Sequence, residues 1–224
     1  MIRHLHFRLP LAMLGAVLLI GAAGEDDPEA VLLRTKETTA TYAAYAWHVE
    51  RDDEGAALDS AIAEFHSGDW HRVDGPKYRL LANCKTHVGY VYDVATGETG
   101  ANDRVYLGAC GIATDEQILS VDRLPFAVGK YGTLDVIRVT SRTLIRYYAI
   151  DQRGVIIRSQ WTAANGSPAP CTQTEPIAIL AKLPPGEIFS KASLARSVIA
   201  ERYRKPPRDL PASGLSGKNC AAVG

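Results

Sequence analysis

Four side chains of the kinds that bind metals and move protons crowd into one short stretch: Glu64, His66, Asp69 and His71. They flank Ser67-Gly68, a pair that favours a two-residue hairpin turn. The runs on either side, 61–65 and 70–73, are β-prone. That register sets His66 opposite Asp69, Phe65 opposite Trp70 and Glu64 opposite His71. The four polar groups then share one face, and Ala63, Phe65 and Trp70 share the other. Imidazoles and carboxylates so grouped are the ligands of zinc and similar ions, and would make the chain a metal-dependent exported hydrolase. A solvated hairpin face is the plainer reading and carries more weight, because tight turns are commonly exposed and the aromatic pair claims the opposite face for the core. His48 and His87 are the only other histidines beyond residue 24.

The aromatic residues offer a different chemistry. The chain has ten Tyr, four Phe and three Trp, and several fall on strand-like runs. Tyr90 and Tyr92 share a face by alternation, as do Phe65 and Trp70. Such side chains have a large apolar body and, in Tyr and Trp, a polar tip. These four are the candidate lining of a cleft for an apolar or acyl ligand, with ordinary sheet core as the alternative use.

Other catalytic signatures are missing. There is no G-x-S-x-G elbow, no H-E-x-x-H helix, no phosphate-binding loop and no G-x-G-x-x-G. No cofactor is implied, and the balance leans away from an enzyme. Lys+Arg and Asp+Glu are both 25, so the basic footprint of a nucleic-acid binder is lacking. The 46% apolar and 22% charged content is that of a globular chain.

The N-terminus sets the compartment. Arg3 and Arg8 precede the apolar run 11–20, which ends in Gly21-Ala22-Ala23-Gly24 before Glu25. This is the pattern of a secretory signal peptide, residues 1–24, and the run is too short for a standard membrane span. No other segment is apolar enough to span a bilayer. The mature protein is expected to be soluble and periplasmic or secreted, with 23 basic and 25 acidic residues, a net charge of −2. Its four cysteines, Cys84, Cys110, Cys171 and Cys220, are an even number for an oxidising compartment. Disulfides outrank a zinc site because no C-x-x-C pair exists. Three pairings are open, of which Cys84–Cys110 with Cys171–Cys220 closes the shorter loops.

The elements that position these residues are mostly strands. Asp27-Pro28-Glu29 opens a helix expected to reach about Thr38. Strands are expected over 42–49, over the two arms of the hairpin, and over 77–84 and 88–94. Three more follow at 133–139, 143–150 and 155–161, with a short one at 105–109. Residues 163–187 read as a long surface loop, and Ser190 caps a second helix over 191–204, ended by Pro206-Pro207. The strands follow one another largely in hairpin order. The fold class is α+β, mainly antiparallel β: a curved sheet or incomplete barrel covered by an N-terminal and a C-terminal helix. Residues 25–205 form a single β-rich domain, and 206–224 a C-terminal tail.

The order of signal peptide, short helix, strand ending near Trp47-His48, hairpin, and then Arg72-Val73-Asp74-Gly75-Pro76-Lys77-Tyr78-Arg79 into paired strands resembles the periplasmic lipoprotein carrier (LolA-type) superfamily. The resemblance covers 28–161 and is architectural. It implies an incomplete antiparallel barrel capped by helices, an apolar cavity for acyl chains, and neither cofactor nor bond-making chemistry. It assigns no functional residue here. The four cysteines and the chain after residue 163 exceed the simplest carriers. A carrier of an apolar or acyl ligand therefore ranks first, a non-enzymatic envelope interaction or structural module with an envelope protein partner second, and the metal hydrolase third.

Overall fold

The computed structural model describes residues 27–51, 57–112, 117–165 and 171–206. Residues 1–24, read above as a signal peptide, and Cys220 lie outside them. Helix α1 (Pro28–Lys36) begins as expected: the Asp27 carboxylate accepts the Glu29 N–H, and Pro28 occupies the first turn. A helix this short needs tertiary support. Val31 supplies it, buried against Ile137, Val139 and Ile150, while Arg34 pairs with Asp135.

Eleven strands follow: β1 (Tyr42–Arg51), β2 (Ala57–Ser67), β3 (Trp70–Asp74), β4 (Tyr78–Asn83), β5 (Val88–Asp93), β6 (Thr99–Ala101), β7 (Ile118–Gly129), β8 (Gly132–Ser141), β9 (Leu144–Ile150), β10 (Ile156–Ala163) and β11 (Cys171–Leu180). They form one sheet in the order β6-β5-β4-β3-β2-β1-β11-β10-β9-β8-β7. Every pairing is antiparallel. The first and last strands meet at its centre, and two meanders run outward from them. The sheet is not closed: β6 and β7 are its edges. Leu134 and Val136 of β8 and Tyr42 and Ala44 of β1 belong to one buried cluster, joined by Ala149, Val155 and Ile157.

Four expectations are corrected. The hairpin turn is Gly68-Asp69, not Ser67-Gly68, with Ser67 opposite Trp70, His66 opposite His71 and Phe65 opposite Arg72. Gly68 takes a left-handed φ of 58°, which suits a first hairpin-turn position. The change of register keeps each residue on its expected face but moves Asp69 off the strand. The segment 105–109 is helix α2 (Val105–Ala109) rather than a strand. Asn102 accepts the Arg104 N–H through its side chain at 2.8 Å, and Val105 and Ala109 drop together onto Ala82.

The supposed loop 163–187 contains β11, at the centre of the sheet. Its Thr, Gln, Glu and Pro disguise it. Pro176 is tolerated beside the β-bulge that faces Tyr45 and Ala46. The C-terminal α-helix does not form: 191–204 holds only two 3-10 turns, Ala192–Ala195 and Glu201–Tyr203. The backbone groups that a helix would pair internally are taken by the sheet. Arg72 claims the Arg196 carbonyl at 2.7 Å, Arg79 the Leu194 carbonyl at 2.8 Å, and Asp74 the Val198 N–H at 2.7 Å.

Residues 182–205 thus form a strap across one face, packed on Ala43, Tyr45, Ala63 and Phe65 through Ile188 and Ile199. The two α-helices among the described residues lie on the other face, α1 over β7 and β8, α2 over β3 to β5. The Cys84–Cys110 bridge, Cα to Cα 5.6 Å, fastens the end of α2 to the end of β4. Cys171 is buried in β11.

Candidate functional site, a hollow between two helices

Small residues make the hollow. In β1, Ala44 and Ala46 face the helix side between Tyr42 and His48, and leave a dip in the sheet. Ile62 and Glu64 of β2, Ile157 and Ser159 of β10, and Thr174, Pro176 and Ile179 near β11's centre complete its floor and walls. The lining is largely aliphatic. It is tight, with a free volume of about 20 Å³, room for one water. A second, more polar hollow adjoins it beneath α2, lined by Thr35, Tyr42, Glu64, His71 and Ala109. Glu64 and Ile156 line both.

Two glycines allow this packing. At Gly154 (φ 84°) an added Cβ would stand 2.3 Å from the Arg34 carbonyl oxygen. At Gly111 (φ 76°) it would stand 2.8 Å from the Thr35 carbonyl. Both let the end of α1 sit down at the rim. Behind α1, Asp135 also accepts from Arg123 at 2.5 Å.

Three of the four expected polar residues come together at the inner end. The rings of His66 and His71 face one another across the hairpin, centroids 5.6 Å apart. Tyr42 stacks on His66 at 5.6 Å, and its edge meets His71 at 6.3 Å. His71 Nε2 is 3.6 Å from Glu64 Oε2. Both imidazoles are buried, at 3% and 5% exposure, where a solvated face was the plainer expectation.

The His66 Nδ1–H donates to the Ala40 carbonyl at 2.7 Å. A carbonyl can only accept, so this fixes the tautomer and leaves Nε2 as an acceptor. Burial lowers the His66 pKa, against the pull of that hydrogen bond. Burial raises the Tyr42 pKa, and the carboxylates of Glu64 and Asp151 add to it. Asp69 stays apart, exposed in the turn. Among the described residues no group of three His, Cys, Asp or Glu is placed to hold a metal ion. His48 lies farther along β1 with its Nδ1 3.1 Å from Thr174 Oγ1, and His87 stacks on Tyr106 at 4.0 Å.

The four aromatic candidates share a single face, the strap face. The register runs Phe65, Arg72, Leu81, Tyr90 across β2 to β5, with Asp74, Arg79 and Tyr92 in the next such row. Phe65 is wholly buried under the strap. Lys191 lies over the Tyr90 ring at 5.7 Å and Arg79 over Tyr92 at 5.0 Å. Trp70 is half-buried at the start of β3.

No protein-family model matches the chain, and no curated protein matches it. Among solved structures it is similar to a domain described as an outer membrane lipoprotein-sorting protein from Vibrio parahaemolyticus, with 12% identity, 75% of this chain and 96% of the other covered, and a TM-score of 0.42. It is also similar to a LolA superfamily protein from Nitrosomonas europaea, with 8% identity, 75% and 99% covered, and a TM-score of 0.40. A DUF1329 family protein from Desulfovibrio piger gives 9% identity, 75% and 97% covered, and a TM-score of 0.36.

Sequence reasoning missed Tyr42, Ala44 and Ala46. The signal was present in Tyr42-Ala-Ala-Tyr-Ala-Trp47, where three alanines stand among large aromatic residues on a strand buried on both faces. It also passed over Arg72 as a structural residue. A guanidinium at 0% exposure is legible only once the strap's carbonyls are seen to surround it.

Proposed function

We propose that the mature protein is a soluble exported carrier that holds an apolar or acyl ligand in the hollow between α1 and α2. The observation that carries this reading is the aliphatic dip on the helix face, with the adjoining polar hollow that Tyr42, Glu64 and His71 line. An amphiphile needs both parts. Its apolar portion would gain about 25 cal/mol for each Å² removed from water, and its polar end would meet imidazole and phenol groups. Because the free volume is near that of one water, admission requires the walls to part, and the short helices over this face are the elements that can shift. The Cys84–Cys110 bridge fits an oxidising compartment. Among the described residues no helix is long and apolar enough to cross a membrane.

Native mass spectrometry of the mature protein, taken gently from the periplasm of an exporting host, tests the proposal. Added mass in the lipid range, removed by organic extraction, is the expected result. A bare mass in every preparation, with no uptake of added fatty acid or phospholipid, overturns it. The edge strand β7 favours the second reading, an envelope interaction module: Leu119, Phe126 and Val128 on it are exposed at 57%, 54% and 80%.

A further inference from the structure

Charge is unevenly spread along the chain. Between 182 and 205 stand six basic residues, Lys182, Lys191, Arg196, Arg202, Arg204 and Lys205, against Glu187 and Glu201. From 25 to 181 the balance is reversed, 15 basic against 22 acidic. All six of these cations are exposed. The fold explains why they point outward. The strap turns its carbonyls toward the sheet, where buried Arg72 takes those of Ile188 and Arg196 at 2.9 and 2.7 Å and Arg79 takes that of Leu194. The strap's main-chain acceptors are thereby neutralised from within, and its outer surface keeps the positive side chains.

Aromatic rings underlie the same surface. Lys191 lies over Tyr90, Arg79 over Tyr92, and Arg202 over Tyr203 at 4.7 Å. Tyr203 in turn stacks on Tyr45 at 4.1 Å. Tyrosine with Lys and Arg is the side-chain mixture of membrane interfaces, where amphipathic rings and long cationic stems sit at headgroup level.

We propose that the strap face is a docking surface for an anionic phospholipid membrane. The attraction is electrostatic and peripheral, because Leu183, Phe189 and Tyr203 are turned at least partly into the protein and no large apolar side chain of the strap is fully exposed. The helix face, with the hollow, would then look away from the bilayer while the protein is held against it. This goes beyond the carrier proposal and does not depend on it: adsorption belongs to the protein without cargo, and lipid loading is read separately by mass.

The test is co-sedimentation of the mature protein with vesicles of phosphatidylglycerol and phosphatidylethanolamine, and with vesicles of phosphatidylcholine alone. Pelleting with the anionic vesicles at low salt, at least tenfold weaker at high salt and absent with phosphatidylcholine, is expected. A Lys182→Glu/Lys205→Glu variant should lose at least fivefold in binding. A Lys85→Glu/Arg142→Glu variant, with the same change in net charge but outside the strap, should keep it. Circular dichroism checks that both fold. Absence of pelleting, or equal loss in the two variants, overturns the proposal. So does equal binding to polyglutamate, which would point to an acidic protein partner.

Discussion

On one side of the sheet the buried charges of Arg72 and Asp74 are paired with each other at 2.7 Å and with the main chain of the strap. On the other side the buried imidazoles of His66 and His71 have one carbonyl, a tyrosine ring and a carboxylate beside them, next to open space. Both faces bury polar groups in an antiparallel sheet, yet they are finished differently. A fully satisfied network holds one arrangement, since any movement strands a charge. A loosely partnered one beside a hollow can rearrange at lower cost. The strap face is the candidate for rigidity and the helix face the candidate for adaptation.

The largest expected effect breaks the rigid side. Arg72→Ala leaves Asp74 buried without its cation and the Ile188 and Arg196 carbonyls without their donor, and should cost about 3–5 kcal/mol. Equilibrium urea unfolding would measure it. The double change Arg72→Met/Asp74→Leu should be milder than either single change; if it is not, the pair is not the main hold on the strap. Next comes the roof over the helix face. Cys84→Ser/Cys110→Ser should cost about 3–4 kcal/mol and raise hydrogen exchange in α2 more than in the strap. Uniform loosening of both faces would blur the contrast.

A third change addresses the hollow. Ala46→Leu should fill it at a cost of about 1–3 kcal/mol and lower any lipid load. Tyr90→Ala, on the strap face, should leave the load unchanged. The opposite result would return the cargo to the surface of Phe65, Trp70, Tyr90 and Tyr92. The smallest effect is in pH. Burial depresses the pKa of His66, and also that of His48, so the unfolded chain takes up protons first on acidification. Stability should be full above about pH 6.5 and fall as pH drops below it until the folded-state imidazoles also protonate. A His66→Gln/His48→Gln variant should show a flatter profile between pH 7 and pH 5, read by thermal unfolding.

Much of this contrast was legible in the sequence, though unevenly. The β-prone runs 42–49, 77–84 and 143–150 gave strands close to those observed, and the turn residues gave their hairpin order. Grouping of Glu64, His66 and His71 on one face survived the error in turn position, because a shift of two in the sum of paired residue numbers preserves the side on which each lies. What failed was decided by distant contacts. Strand β11 reads as a loop because its polar side chains are paired inside the fold, as Glu175 is with Arg158 at 2.8 Å. The segment 191–204 has a helical apolar spacing, but Arg72, Asp74 and Arg79 outbid its internal hydrogen bonds. Local pattern carries no trace of either.

The meeting of β1 with β11 sets an order of events for the newborn chain. Ala43 lies against Leu180, so the centre of the sheet joins residues from opposite ends of the sequence, and the closing of so long a loop is slow. The N-terminal end arrives first. Strands β1 to β6 can pair through short turns at once, but the far edge of β1 then waits bare, an open template for any other strand, until β11 has been delivered. The most central seam of the finished molecule is therefore the last to be sewn, and the interval before it closes is when the protein is most exposed to aggregation.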